Sequence, residues 1–99
     1  TLPAPIAGSM FRFIYAGGAA DGTDAIILTP GNTNFYIGGV TLLDTDNAIS
    51  NVFSNGSSNS SFQINVPGGF DVTIMGLNTT NYQIFGSVTS ATAPAFADQ

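Results

Sequence analysis

Few residues in this sequence can do chemistry, and all of its acidic groups are aspartates. Two pairs stand close together, Asp21 with Asp24 and Asp44 with Asp46. Paired carboxylates can act as acid and nucleophile in glycoside hydrolysis, or as oxygen ligands for a catalytic metal ion. Aspartate is also a common turn residue, because its side chain accepts hydrogen bonds from nearby backbone N–H groups. Since both pairs lie in turn-like stretches, we expect them to shape turns.

The stretch DTDN at positions 44 to 47 is the best candidate for a metal site. Closely spaced carboxylates and an asparagine carbonyl suit calcium, which prefers oxygen ligands. The stretch matches only the first part of a D-x-D-x-D-G calcium loop and lacks the glycine and the terminal glutamate. Asp44 and Asp46 are therefore the candidate ligands of a calcium-binding alternative, and otherwise we expect no cofactor and no metal.

The residue types that are absent exclude several functions. The chain has no cysteine, histidine, lysine or glutamate, so a serine or threonine nucleophile has no ordinary base beside it. We therefore expect that the protein is not an enzyme. A net charge of −5 with one arginine disfavours nucleic acid as a partner, because phosphate binding needs several cations. No apolar run approaches the roughly 20 residues of a membrane span, so no membrane partner is expected.

Arg12 is the single basic side chain, and it has two interpretations. It can form an ion pair or a carboxylate clamp across a subunit boundary. It can also pair with an aspartate of its own chain while its stem lies along the surface. We favour the second interpretation, since partners within the chain are closer at hand, and keep Arg12 as a candidate interface residue.

The elements that position these residues are predicted to be β-strands. Short runs rich in Val, Ile, Thr, Phe and Tyr alternate with Gly, Asn, Ser and Pro, as in all-β domains. The clearest runs, 61–66 and 70–75, flank Pro67-Gly68-Gly69 and predict a hairpin with one buried face. Gly38-Gly39 predicts a bulge or a corner between sheets, and Gly86 predicts a close approach or a bulge.

The fold class predicted is all-β, an antiparallel β-sandwich or small barrel of jelly-roll-like or immunoglobulin-like type. We expect six to seven short strands with extended terminal arms. The 99 residues form a single domain, with an N-terminal arm at 1–8, a sandwich body at 9–90 and a C-terminal arm at 91–99. The stretch SNGSSNSS at 54–61 is predicted to be a polar loop.

The opening TLPAPIAGSMFRFIY resembles a segment of small structural proteins of tailed bacteriophages, of the head decoration or cement type. IGGVTLLD, VFSNGSS and GLNTTNYQIFGSV also look like the body of such a virion protein. Proteins of this kind often carry further residues before the T-L-P phrase. The resemblance implies a β-sandwich that binds the outside of an icosahedral shell, often as a symmetric oligomer.

We therefore expect a capsid cement or decoration protein on the outer surface of a phage head, in the virion. Its expected partners are the major capsid protein and further copies of itself, as a dimer or trimer. Only 7% of the residues are charged, so the surface has little protection against association. The residues expected at the shell or subunit interface are Leu2, Pro3, Pro5, Ile6, Arg12 and Phe96.

Two alternatives remain open at this point. One is a receptor- or glycan-binding module of a phage fibre or spike, in which the 54–61 loop and nearby tyrosines meet the glycan. The other is a calcium-binding, lectin-like domain built around Asp44 and Asp46.

Overall fold

The computed structural model describes residues 1–17 and 22–99, and these form strands and no helix. Alternating apolar and polar residues build the strands, and Gly, Pro and Asn separate them. The eight strands are β1 (Met10–Tyr15), β2 (Ala25–Leu28), β3 (Phe35–Asp44), β4 (Ile49–Phe53), β5 (Ser61–Ile64), β6 (Gly69–Gly76), β7 (Asn81–Ser90) and β8 (Ala95–Ala97).

The strands form two sheets that share one core. The larger sheet has the order β1-β6-β7-β3-β4, and the smaller has the order β2-β5-β8. All pairings are antiparallel except that of β3 with β7, which is parallel. The predicted all-β sandwich is confirmed, with an additional strand, β8, in the segment predicted to be an arm.

The core lies between the two sheets and is made by every second residue of the strands. Tyr36 and Tyr82 come from the larger sheet and Phe62 from the smaller, and none of the three is accessible to solvent. The remaining buried members are aliphatic and are also contributed by both sheets, together with Leu2. The alternation predicted for 61–66 and 70–75 holds at four residues that are fully buried: Phe62, Ile64, Val72 and Ile74. It fails at Val66, which is 45% exposed.

The predicted hairpin between these two runs is wrong. β5 belongs to the smaller sheet and β6 to the larger, so the connection crosses from one sheet to the other. Val66 has a φ of 38°, and Pro67 follows it, which turns the chain out of the β5 direction. The Asp24 carboxylate accepts hydrogen bonds from the Val66 N–H at 2.9 Å and from the Gln63 side chain at 2.8 Å. These contacts hold the crossing segment against the start of β2.

The parallel pairing of β3 and β7 is interrupted at its middle. The register runs from Gly38 opposite Ile84 directly to Thr41 opposite Ser87, with no pairing of the residues between. Gly86 has a φ of +137°, which breaks the extended ladder there. Two residues of each strand lie between these pairs, so the register does not shift, and β3 stays in one sheet. The bulge or corner predicted at Gly38-Gly39 is therefore wrong. The close approach predicted at Gly86 is present, since a Cβ there would collide with the Asp71 oxygen.

The two terminal segments lie on the body of their own chain and are not free arms. The Leu2 N–H donates a hydrogen bond to the Leu28 oxygen at 2.7 Å, and the Leu2 side chain is only 5% exposed. At the other end, the Phe96 ring stacks on Phe62 with a centroid distance of 4.7 Å. The side-chain amide of Gln99 donates to main-chain oxygens of Thr29 and Ser60, each at 2.9 Å. Leu2 and Phe96, which the sequence suggested as contacts for a partner, thus bury apolar surface within their own chain.

Tyr36 and Tyr82 are neighbours across the β3–β7 pairing, and we expect them to make stability depend on alkaline pH. Burial raises the pKa of both hydroxyls above its ordinary value, and at Tyr36 the neighbouring Tyr82 adds to the shift. Unfolded tyrosine loses its proton near pH 10. Above that pH the unfolded chain therefore binds fewer protons than the folded one, and the free energy of unfolding falls by up to about 1.4 kcal/mol per pH unit per tyrosine.

Urea unfolding between about pH 8 and 11.5 tests this pH dependence. The midpoint should be flat below about pH 10 and fall above it, and Tyr36→Phe should fall less steeply than the native chain. Tyr36→Phe also loses the hydrogen bond from its hydroxyl to the Ile27 oxygen, so its midpoint should be lower at every pH. Equal slopes for the two proteins above pH 10 would contradict the assignment to Tyr36.

Candidate functional site

The outer face of the larger sheet is the most distinctive surface of the molecule. We define it as the side chains of β1, β6, β7, β3 and β4 that alternate with those of the core. The strand register sets Thr73 beside both Arg12 and Phe85, and Thr41 beside both Ser87 and Asn51. Residues from distant parts of the chain are thus brought into one continuous surface.

This outer face is unusually apolar for a surface that meets water. Of the ten exposed large hydrophobic side chains in the described residues, six lie on it. They are Met10, Ile14, Leu43, Ile49, Phe53 and Phe85. The two most exposed, Ile49 at 73% and Phe53 at 71%, share the edge strand β4. Polar residues such as Thr41 and Ser87 lie between them, so the face combines apolar and polar groups, as protein interaction sites do.

The charges on the outer face neutralise each other. The Arg12 guanidinium donates two hydrogen bonds to the Asp71 carboxylate, at 2.9 and 2.6 Å, between adjacent strands. These hydrogen bonds and the positive charge lower the pKa of Asp71 below its ordinary value. Both groups are exposed, so solvent screens the pair and it adds little to stability. The favoured interpretation of Arg12, pairing within the chain, matches the structure.

A shallow depression lies on the β1 side of this face. It encloses about 490 Å³ and is lined by Met10, Arg12, Asp71, Thr73, Phe85, Gly86 and Ser87. Its mouth is wide, and its lining contains one acid that is already engaged by Arg12. Its wide, shallow shape suits a protruding side chain of a partner.

The candidate calcium ligands Asp44 and Asp46 shape the turn between β3 and β4. Asp44 Oδ1 accepts the Asp46 N–H at 3.2 Å, and Asp46 Oδ1 accepts the Ala48 N–H at 3.1 Å. Asn47 adopts a positive φ of 74° in the same turn. Within residues 1–17 and 22–99, no group of three or more acids, histidines or cysteines could hold a metal ion. The hydrogen bonds from the Asp46 and Ala48 N–H groups place this pair in the turn-forming role expected for it.

Asp24 and Asp21 were the other acidic pair. Asp24 accepts hydrogen bonds from Val66 and Gln63 and so has a structural role. Asp21 lies outside the described residues.

The groups considered for glycan binding are largely engaged within the protein. In the 54–61 loop, Asn55 Oδ1 accepts the N–H groups of Ser57, Ser58 and Asn59 at 3.0 to 3.1 Å. The Ser58 hydroxyl and the Asn59 side chain both donate to Asp98. Tyr36 and Tyr82 are fully buried, so neither ring can stack on a sugar. This arrangement gives the glycan-binding alternative few free donors in the loop.

The interface residues expected from the sequence do not form one surface. Leu2 and Pro5 are buried, and Phe96 is half-buried against the core, so these three serve the fold. Pro3 is exposed, and its carbonyl oxygen accepts the Tyr82 hydroxyl at 2.7 Å. Ile6 is 67% exposed, and Arg12 is also accessible. Of the expected residues, only Arg12 lies on the outer face.

Sequence reasoning missed Phe53, Ile49 and Phe85 as surface residues. The alternation of each strand could indicate that one of its faces is apolar. It could not show that the exposed residues of β4 and β7 join those of β1, because that depends on strand order.

The fold and the outer face together define a small all-β domain with an exposed apolar sheet, an architecture suited to association. Its described residues contain no helix that is long and apolar enough to cross a membrane. Comparisons with protein-family models, with curated proteins and with solved structures find no match.

Proposed function

We propose that the protein is a structural component of a bacteriophage particle, a cement or decoration protein that binds the outer surface of the head. The observation that carries the proposal is the continuous outer face, with six exposed apolar side chains and one internally neutralised ion pair. Such a face fits another protein surface, because association removes its apolar groups from water without burying an unpaired charge.

The size of the face explains why a repeating lattice suits it. Five strands about 4.8 Å apart, over about six residues each, span roughly 20 by 20 Å, or roughly 400 Å² of flat area. A standard protein interface buries about 800 Å² on each partner. Protruding side chains give the face more accessible surface than its flat area, so one copy offers at most an interface of about standard size. Many copies on a regular shell would stabilise it together by bridging its subunits.

Quantitative mass spectrometry of purified particles tests this proposal. Native protein should co-purify with intact particles in a copy number comparable with that of the major capsid protein. Phe85→Asp places a charge at the centre of the outer face and should lower the copy number at least about tenfold. Leu77→Asp is the matched control, because Leu77 is similarly exposed, at 37% against 44%, and lies beyond the end of β6.

The other outcomes separate the alternatives. A copy number of a few per particle would favour a fibre, spike or vertex location and overturn the cement role. Absence from particles would overturn the virion proposal. Equal incorporation of Phe85→Asp and Leu77→Asp would show that the outer face does not bind the shell.

A further inference from the structure

The edge strand β4 exposes backbone hydrogen-bonding groups beside its two apolar side chains. In an antiparallel ladder, residues that exchange hydrogen bonds alternate with residues whose backbone groups point away. The Ser54 N–H donates to the Gly38 oxygen at 2.9 Å, and the Asp44 N–H donates to the Ala48 oxygen at 2.9 Å, at the two ends of the β3–β4 ladder. The alternation between these ends directs the N–H and C=O groups of three β4 residues away from β3: Ile49, Asn51 and Phe53.

The other sheet edges of the described chain are protected, each in a different way. β1 carries Arg12 at its middle, so pairing with a second β1 would set like charges opposite each other. β2 is partly covered, because its Leu28 oxygen accepts the Leu2 N–H. β8 is only three residues long. Charge, cover and shortness are the usual means by which proteins block edge pairing. β4 has no charge and no proline, and although β8 lies near it, β8 pairs with β5 and not with β4.

We infer that β4 is a self-association edge, which pairs with β4 of a second copy of this chain in an antiparallel, two-fold arrangement. A two-fold axis at Asn51 sets Asn51 opposite its counterpart and Ile49 opposite Phe53 of the second copy. All three residues have outward backbone groups, so each opposed pair can exchange two hydrogen bonds. Each Ile49–Phe53 contact is a cross-strand pair of a β-branched and an aromatic side chain, which stabilises sheets.

The net charge of −5 does not prevent a second copy from pairing with β4. The nearest aspartates, Asp44 and Asp46, lie in the turn that precedes β4. Antiparallel pairing sends the two turns to opposite ends, so the two Asp46 residues are roughly 30 Å apart at about 3.3 Å per residue. This separation is several times the Debye length of about 8 Å at physiological salt, and their repulsion is screened.

The pairing would join two outer faces into one sheet surface of ten strands, twice the five in each copy. It does not depend on the proposed binding to a phage shell. Phe85, which tests shell binding, lies on β7 in the middle of the sheet and away from the β4 edge. A variant that loses shell binding can therefore still be tested for pairing through β4, and a variant that loses the pairing can still be tested for shell binding.

Sedimentation equilibrium from roughly 1 µM to 1 mM tests the pairing, since small interfaces associate in this range. The native chain should approach twice its mass of 10.1 kDa. Asn51→Lys should remain monomeric throughout, because it sets two positive charges directly opposite each other. Thr41→Lys is the matched control and should dimerise like the native chain. It adds the same charge to the same face, and both variants lose the Thr41–Asn51 side-chain hydrogen bond.

Amide hydrogen exchange on the native chain gives a second test that needs no variant. On dilution, the N–H groups of Ile49, Asn51 and Phe53 should lose protection, while those of Ser50 and Val52 keep theirs. A native chain that is monomeric at every concentration would overturn the inference, as would an Asn51→Lys variant that dimerises equally well. Open-ended assembly would also overturn it, because that requires β4 to pair with a different edge of the next copy.

Discussion

Replacing Phe62 by alanine is expected to lower the free energy of unfolding by about 3–5 kcal/mol. Phe62 lies on β5, the central strand of the smaller sheet, and its side chain is fully buried. Its ring stacks on Phe96, whose ring in turn meets Tyr36 of the larger sheet edge-on at 6.0 Å. Truncation would leave a cavity where the two sheets meet, and a domain of this size has only about 5–15 kcal/mol of total stability.

Phe53→Ala provides a control with the same change of side chain. Phe53 is 71% exposed on β4, so its removal should cost less than about 1 kcal/mol. Urea unfolding of both variants at low protein concentration measures the difference and keeps any association through β4 out of the comparison. Similar losses in the two variants would mean that the smaller sheet is not packed on the larger one as described.

The contrast between Phe62 and Phe53 shows what the sequence could predict. Strict alternation around Phe62 identified its buried face, because a strand places successive side chains on opposite sides. The same alternation could not show that β5 and β6 belong to different sheets. That outcome depends on the positive φ of Val66 and on Asp24, which is distant in sequence and holds the crossing segment.

The terminal segments show a second limit of prediction from the sequence. Proline and alanine predicted extended chain without a helix, and residues 1–8 indeed contain no regular element. Their docking depends on contacts with distant residues, such as the hydrogen bond from the Tyr82 hydroxyl to the Pro3 oxygen. It also depends on Gly76, since a Cβ there would collide with backbone atoms of Ile6. Composition carries no information about such a fit.

The candidate site was predictable only in part, because it too depends on contacts between residues that are distant in sequence. Alternation placed Met10, Arg12 and Ile14 on one face of β1, and the structure keeps all three exposed. Their neighbour Asp71 and the nearby Phe85 come from strands more than fifty residues later. Long-range register, including a parallel pairing that turn chemistry does not signal, assembles the outer face.

Replacing Gly86 by alanine is expected to cost about 2–6 kcal/mol, combining backbone strain with overpacking. Gly86 lies in β7, between β6 and β3, and has a φ of +137°, which other residues rarely adopt. A Cβ there would collide with the Asp71 oxygen and lie 2.9 Å from the Val72 Cα. These are backbone atoms of the adjacent strand, so β6 and β7 would have to separate to make room.

The effect of Gly86→Ala should reach the outer face, because Asp71 carries the carboxylate that binds Arg12. Gly56→Ala is the control, since Gly56 also has a positive φ, of 73°, but open space around it. Strain alone should cost that variant about 1–2 kcal/mol. Urea unfolding compares the two, and NMR shifts of the Arg12 guanidinium report on its ion pair. If Gly86→Ala is no less stable than Gly56→Ala, the close approach of β6 to β7 does not make the stability of the larger sheet depend on a glycine at position 86.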